Sequence, residues 1–351
     1  MRSTRPPAKP SGAGPRGRHR TVLGHAAELA VAWRSGVHLR GTPIWCDARR
    51  PRDVCFASCA HAAGASRHGQ LIGTAATLAL LGPDAAAGSA RLSVPYGQPF
   101  TLGTVRLELL RSGHAFGSAA LLADVDGQRI LCAGAINPHG GGLGDTAELR
   151  PCDVLVIDAS YAHPRYEFPP VEQAVAAVRA FALEVAAAGG VAVLLVSSPS
   201  KGLDVMARLS DAGPELTAHW SIHEAARRLR SLQPALPRVR RWSGRLSAGK
   251  VLLWPVEQRA ALGTLPGPSR VALVSGQAMD AALVSPLGVD AAFAWSNLAD
   301  HQELLAYVEQ TGARAVFATS RHAEDLARAV TTAGRVARAL GPPRQMPLFG
   351  S

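Results

Sequence analysis

Short apolar runs separated by turn residues make up most of the chain between residues 21 and 170. Continuous apolar stretches and strict alternation over four to eight residues are typical of β-strands. The predicted strands lie at residues 53–58, 92–110 (with turns at Gly97 and Gly103), 129–133 and 153–158. Residues 71–81 have the apolar spacing of a helix instead.

From residue 171 onward, helical periodicity alternates with short, continuously apolar runs. Runs of this kind are typical of parallel strands that are buried on both faces. Helices are predicted at residues 171–188, 201–209, 221–229, 301–310 and 323–339, and strands at 190–196, 271–275 and 313–318. This order of elements predicts an α/β fold.

The composition favours a folded protein with a substantial core. The 351 residues are 47% hydrophobic, which suffices for two domains or one large composite domain. No apolar run reaches the length of a membrane span, and the first 20 residues lack the apolar segment of a secretory signal. Five cysteines, an odd number in mostly apolar contexts, favour buried thiols and a reducing cytoplasm.

Charge points to an anionic partner. The net charge is +11, and nearly all of it comes from arginine, whose planar fork suits phosphate. Residues 1–20 carry six basic residues and no acid, which predicts a disordered arm that either contacts nucleic acid or is a solvated tail.

A second basic stretch lies between residues 227 and 250 and includes an aromatic residue. A stripe of this kind can follow a nucleic-acid backbone and stack a base, although a solvated helix face and loop has the same composition. The candidate nucleic-acid-binding residues are Arg227, Arg228, Arg230, Arg238, Arg240, Arg241, Trp242, Arg245 and Lys250.

The segment Cys59-Ala60-His61-Ala62-Ala63-Gly64 follows the predicted strand at 53–58. Di-zinc hydrolases of the metallo-β-lactamase type carry His-x-His-x-Asp-His at such a strand end. This segment resembles that motif, with Cys59 at the first histidine and His61 at the second. Ala63 and Gly64 stand where the aspartate and the last histidine would lie.

Further segments resemble, in order, the β-CASP branch of the metallo-β-lactamase superfamily, from about Gly36 to Gly341. Within that branch the chain is most similar to bacterial exonucleases often encoded beside an ATP-dependent DNA ligase, which are themselves similar to RNA 3′-end processing factors. The segments are Gly41-Thr42-Pro43-Ile44-Trp45-Cys46-Asp47 with Arg50-Pro51, Ser112-Gly113-His114-Ala115-Phe116-Gly117-Ser118-Ala119, Cys132-Ala133-Gly134-Ala135, Ile157-Asp158-Ala159-Ser160-Tyr161, residues 288–300, and Phe317-Ala318-Thr319-Ser320-Arg321.

The resemblance implies an α/β architecture: a metallo-β-lactamase αββα sandwich with an inserted β-CASP-like α/β domain. The sandwich would comprise residues 21–170 and 296–340, and the insert residues 171–295. Residues 1–20 would be the basic arm, and residues 341–351 a tail.

The resemblance also assigns metal positions. One zinc site would use Cys59, His61 and His114. The second would use positions that here hold Ala63, Gly64, Ala135 and Ser320, and Leu298 replaces a phosphate-contacting histidine. Alanine and glycine offer no donor atom, and two-metal hydrolysis needs two retained ions, so a di-zinc nuclease centre is not expected. Asp158 corresponds to an acid that orients a catalytic histidine, and it would lie behind the metal ligands or simply hydrogen-bond locally.

The first metal site remains open between two interpretations. Cys59, His61 and His114 are legitimate ligands for one zinc. Alternatively, the two histidines pack beside a buried cysteine and no cofactor is bound.

The C-terminal segment Gln345-Met346-Pro347-Leu348-Phe349 resembles the bacterial sliding-clamp-binding peptide. Leu348 and Phe349 would fill an apolar pocket of the clamp, with Met346 beside them and Gln345 at the rim. The alternative is that these apolar residues fold back onto their own domain.

Together these features predict a catalytically degenerate nuclease homologue that acts as a non-catalytic DNA repair or replication factor. The sliding clamp and DNA would be its partners, with other repair proteins as further candidates, and no membrane is involved. The alternatives are a mono-zinc hydrolase or exonuclease and an RNA-binding module.

Overall fold

The computed structural model describes residues 30–62, 66–85, 87–141, 146–210, 215–245, 248–265 and 267–342. The predicted basic arm (1–20) and the clamp-type peptide (345–349) lie outside the described residues, as do Ala63 and Gly64.

The N-terminal sheet contains six strands in chain order. They are β1 (Val31–Trp33), β2 (Val37–Leu39), β3 (Ile44–Cys46), β4 (Val54–Phe56), β5 (Gln70–Gly73) and β6 (Ala90–Ser93). The first two pairings are antiparallel and the rest are parallel. Helix α1 (Ala75–Leu81) connects β5 to β6.

The central sheet has seven strands in the order β19-β18-β11-β10-β9-β8-β7. Its strands are β7 (Phe100–Leu102), β8 (Val105–Arg111), β9 (Ala119–Val125), β10 (Gln128–Gly134), β11 (Val154–Asp158), β18 (Ala315–Thr319) and β19 (Val336–Ala339). Strands β10, β11, β18 and β19 are parallel to one another. Strands β7, β8, β9 and β10 form an antiparallel meander.

These two sheets face each other across one apolar core. Leu39 and Ile44 of the N-terminal sheet pack there with Leu107 and Leu121 of the central sheet. The outer face of the central sheet is covered by α6 (His301–Thr311) and α7 (Ala323–Thr332), and α1 packs on the outer side of the N-terminal sheet. The layers are therefore helix, sheet, sheet, helix.

The insert sheet is parallel throughout and has the order β14-β13-β15-β12-β16-β17. Its strands are β12 (Ala192–Val196), β13 (Leu216–Ala218), β14 (Arg240–Arg241), β15 (Val251–Pro255), β16 (Arg270–Val274) and β17 (Ala291–Phe293). Helices α2 (Val171–Ala187), α3 (Pro199–Leu209) and α4 (Trp220–Leu229) cover one face. The 3₁₀ segments Val256–Leu262, Gly276–Met279 and Ser285–Leu287, with the single turn α5 (Ala281–Val284), follow its strands.

The mixed α/β class is confirmed, and most predicted elements lie within two residues of their expected bounds. Two predictions are wrong in part. Residues 71–81 begin with the end of β5, because Thr74 ends the strand and caps α1 by accepting a hydrogen bond from Thr77 N. The predicted helix at 323–339 ends at Thr332, because Gly334 at φ +80° turns the chain into β19.

The pattern also leaves β15 unpredicted, although every residue of that strand is buried beside β12. No helix among the residues that the structure describes is both long and apolar enough to cross a bilayer.

Candidate metal centre and interlobe clefts

The carboxyl ends of β4, β10, β11 and β18 open into one cleft of about 1040 Å³. Cys59 and His61 follow β4, and Asp158 ends β11. Ligands of open sheets bind outside the carboxyl ends of parallel strands, so the fold itself points to this edge. The cleft is lined by Cys59, His61 and His114 together.

The β8–β9 loop positions His114. Gly113 has φ +72°, and its backbone lies so close to Asn137 that a Cβ would meet the Asn137 oxygen at 2.0 Å. Ser118 Oγ bridges the loop by accepting from Ala115 N and donating to Ala115 O. Backbone contacts thus hold the imidazole of His114 in place.

The three predicted metal ligands come together. Their ligand atoms all lie within 4.8 Å of one another. His61 Nε2 is 3.3 Å from His114 Nε2 and 3.7 Å from Cys59 Sγ. In a tetrahedral zinc site with ordinary bond lengths, two nitrogens lie about 3.4 Å apart, and nitrogen and sulfur about 3.6 Å apart. The side chains therefore fit two edges of such a tetrahedron.

The tautomer of His114 suits a ligand. Its Nδ1 lies 2.9 Å from the carbonyl oxygen of Asn297, which can only accept a hydrogen bond. Nδ1 therefore carries the hydrogen, and Nε2 presents its lone pair to the cleft. A backbone carbonyl behind a histidine is the usual second contact of a metal-bound imidazole.

The electrostatics around His61 favour its neutral form. His61 touches solvent at the mouth of the cleft, yet the surrounding protein excludes enough water that desolvation lowers its pKa. The carboxylates of Asp47 and Asp158 oppose this shift in pKa. Burial raises the pKa of Asp47 in turn, although Ser58 donates to it through both N and Oγ.

The positions assigned to a second metal carry different side chains. Ala135 lines the cleft without a donor atom, as does Leu298 at the position of the phosphate-contacting histidine. Ser320, at φ +75°, donates its hydroxyl hydrogen bond to Asp158 Oδ2, and the other oxygen of Asp158 accepts from Ser160 N. Asp158 is thus bound by two serines, and it contacts neither His61 nor His114 through a hydrogen bond in the described part of the chain.

A second, smaller cleft of about 270 Å³ adjoins the first, and we call it the anion pocket. His61 and His114 line one side of it, and the ends of β12 and β16 line the other. Its polar groups are mostly hydroxyls with two cations: Ser160, Ser197, Ser198, Ser200, Ser275, Ser296, Lys201 and Arg321.

Lys201 supplies a buried charge beneath this pocket. Its ammonium group donates to Asp204 Oδ2 and Asn297 Oδ1, and it lies 4.4 Å from the centroid of the Trp295 ring. Desolvation lowers the pKa of Lys201 to about 8, against the opposing effect of Asp204. The sequence pattern did not identify this pocket, although the serine-rich ends of two apolar strands were a usable signal.

Several residues of the predicted basic stretch are engaged in ion pairs. Arg227 and Arg228 both pair with Glu224, and Arg240 and Lys250 both pair with Glu215. Trp242 is half-buried with its ring 4.9 Å from that of Trp254. Arg230, Arg238, Arg241 and Arg245 are exposed.

No protein-family model matches the chain. A relative from Opitutus terrae named "Probable DNA ligase" is 28% identical over 322 residues, which cover 91% of this chain but 32% of the relative. The chain thus spans about a third of the length of that protein.

Among solved structures, the chain is similar to a protein of unknown function from Enterococcus faecalis V583, with 14% identity and a TM-score of 0.57. The match covers 84% of this chain and 80% of the other. At this identity, the likeness is one of fold alone.

Proposed function

We propose that the protein is a β-CASP-type metallo-β-lactamase homologue that binds DNA without binuclear hydrolysis, as a repair or replication factor. The anion pocket carries this proposal. It combines the amino end of α3, Lys201, Arg321 and several serines between the insert sheet and the loops that carry His61 and His114; among these serines, Ser296 already donates its hydroxyl hydrogen to Leu298 O. Helix amino ends, hydroxyls and arginines are the groups that bind phosphate in proteins.

The loss of two-metal chemistry follows from the side chains. A second ion beside the first needs its own oxygen or nitrogen donors. Ala135 has none, and the Ser320 hydroxyl is engaged with Asp158. The name of the Opitutus relative, "Probable DNA ligase", supports a role near DNA.

The test measures binding of a fluorescein-labelled 5′-phosphorylated single strand by anisotropy, over a salt series and with the duplex and RNA forms as competitors. Arg321→Gln should weaken binding and reduce the salt slope by about one, since each phosphate contact contributes about one ion released. Arg314→Gln is the matched control. Arg314 and Arg321 flank β18 at opposite ends, and each is an exposed, ion-paired arginine.

Equal affinity of the two arginine variants would remove the anion pocket from the proposal. Absence of wild-type binding to any of the nucleic acids at low salt would reject DNA binding altogether. Preferential binding of RNA would replace DNA by RNA as the ligand. Hydrolysis of the strand in added Zn²⁺ or Mn²⁺ would contradict the loss of nuclease activity.

A second candidate function is a mono-zinc hydrolase, which the spacing of His61 from both His114 and Cys59 favours. These residues would hold the ion by three bonds, and bound zinc would supply Lewis acidity at its open fourth position. His114→Gln should lose zinc after reconstitution, whereas His68→Gln, at a buried histidine outside the cleft, should retain it. Wild-type protein with less than about a tenth of an equivalent of zinc would eliminate this candidate.

Recruitment to a sliding clamp is a proposal that rests on the sequence of residues 345–349. The Leu348→Ala, Phe349→Ala double variant should lose affinity for the clamp, because the two side chains are the apolar anchors of the peptide. Leu232→Ala, an exposed leucine of the insert, is the control. Unchanged affinity of the double variant would reject recruitment through this peptide and leave the DNA-binding proposal untouched.

A further inference from the structure

The insert sheet presents the carboxyl ends of all its strands at one edge, because every pairing in it is parallel. The anion pocket lies at this edge, beyond β12 and β16, where Ser197 and Ser275 follow the strands. Continuing along the sheet from β12, the next strands are β15, β13 and β14. Groups that follow β13 and β14 therefore extend the same edge away from the pocket.

Trp220 is such a group, and it is two residues beyond β13. Its side chain is 53% exposed, the highest value among the large apolar side chains of the described ranges. The residue before it is fixed: His219 caps α4 by accepting from Ser221 N, and its ring lies 4.5 Å from that of the buried Trp254. The exposed indole thus projects from a rigid support.

The strand beside β13 carries a positive charge. Arg241 on β14 is paired in register with Ala218, two residues before Trp220, and its side chain is exposed. Within the ranges that the structure covers, Arg241 makes no ion pair, unlike its neighbour Arg240. Burial lowers the pKa of His219, a hydrogen bond with Gln258 opposes this, and the charge of Arg241 lowers the pKa further.

Two acidic residues follow β13 and β15 at this edge. Glu224 lies one helical turn beyond Trp220, and its carboxylate is bound by both Arg227 and Arg228. Those two ion pairs hold the pKa of Glu224 down at about 2. Glu257, two residues beyond β15, is exposed.

We propose that Trp220 and Arg241 form a stacking platform for single-stranded nucleic acid that runs from the anion pocket along this edge. The inference rests on the proposed binding of a phosphate in that pocket. Two strand spacings of about 4.8 Å separate β12 from β13, which corresponds to roughly three stacked nucleotides at about 3.4 Å each. A single strand offers base faces to an indole, whereas the bases of a duplex are stacked on each other.

The experiment uses the full chain and two labelled 5′-phosphorylated 12-mers, one of thymidines and one with an abasic stretch at the third to fifth positions. Trp220→Ala should weaken binding of the thymidine strand by roughly 5- to 100-fold, the range for loss of one stacked base. Trp220→Phe should retain most of the affinity, because it keeps an aromatic face. Leu183→Ala, at an exposed leucine of α2, is the matched control and should bind like wild type.

The abasic strand separates stacking from a structural effect. Wild type should bind it more weakly than the thymidine strand, and Trp220→Ala should bind both equally, since the phosphates are unchanged. Arg241→Gln should weaken binding of both strands.

If Trp220→Ala binds the thymidine strand as tightly as wild type does, the platform is rejected and the anion pocket is unaffected. A persistent preference of Trp220→Ala for the thymidine strand would likewise overturn it. If the wild-type protein binds neither strand, the proposed function on which the platform depends is rejected instead.

Discussion

Replacement of Gly113 by alanine tests how the loop that carries His114 is held. Gly113 has φ +72°, which costs an alanine about 1–2 kcal/mol. Its new Cβ would also lie 2.0 Å from the Asn137 oxygen and 2.7 Å from Ala147 N, so it would enter the hydrogen bond that joins them. Leaving such buried groups unpaired costs a further 1–3 kcal/mol or so.

Gly127→Ala is the matched control. Gly127 has nearly the same φ, +77°, but no heavy atom of the described residues lies within 4 Å of the place where the new methyl group would sit. We therefore expect a loss of about 1–2 kcal/mol for Gly127→Ala and about 2–5 kcal/mol for Gly113→Ala in the free energy of unfolding. Urea unfolding at pH 7.5, followed by circular dichroism, measures both values.

Gly113→Ala should also lower any zinc affinity, because the shift of the loop moves His114 away from His61. A difference between the two glycine variants of less than about 0.5 kcal/mol would refute the reasoning, since only the backbone contact distinguishes them.

Three further outcomes are expected. Asp300→Ala should lower stability by about 1–2 kcal/mol, because Asp300 and Glu303 form the capping box of α6; thermal unfolding measures this, and an unchanged midpoint would contradict it. Desolvation lowers the pKa of the buried His68, so the unfolded chain takes up the proton first, and stability should fall as the pH drops below 6.5. His68→Gln should lose less stability between pH 7 and pH 5 than wild type; a parallel decline would exclude His68 as the cause. Leu194→Ala in the fully buried β12 should lower the free energy of unfolding by about 2–5 kcal/mol, whereas Leu183→Ala, at an exposed leucine, should change it very little. Equal urea midpoints for the two variants would contradict the burial of Leu194.

Local pattern identified most of the elements, and the family resemblance assigned the residues of the candidate metal centre. The apolar run before Cys59 and the run that ends at Asp158 became the strands β4 and β11, as expected. Because the N-terminal and central sheets face each other, residues far apart in the chain, such as His61 after β4 and His114 after β8, meet in one cleft. The assignment of the fold to a named superfamily remains a prediction.

Only the tertiary structure shows which of these arginines form ion pairs and which tryptophan rings are exposed. Arg240 looks equivalent to its neighbour Arg241 in sequence, but Glu215, 25 residues earlier in the chain, pairs with Arg240. Trp242 packs on Trp254, whereas Trp220 is left exposed. Such differences depend on contacts between strands and helices that are distant in the chain, and local periodicity contains no information on those distances. The sequence by itself therefore determined which chemical groups are present and at which strand ends, and the folded packing determined which of them can meet a ligand.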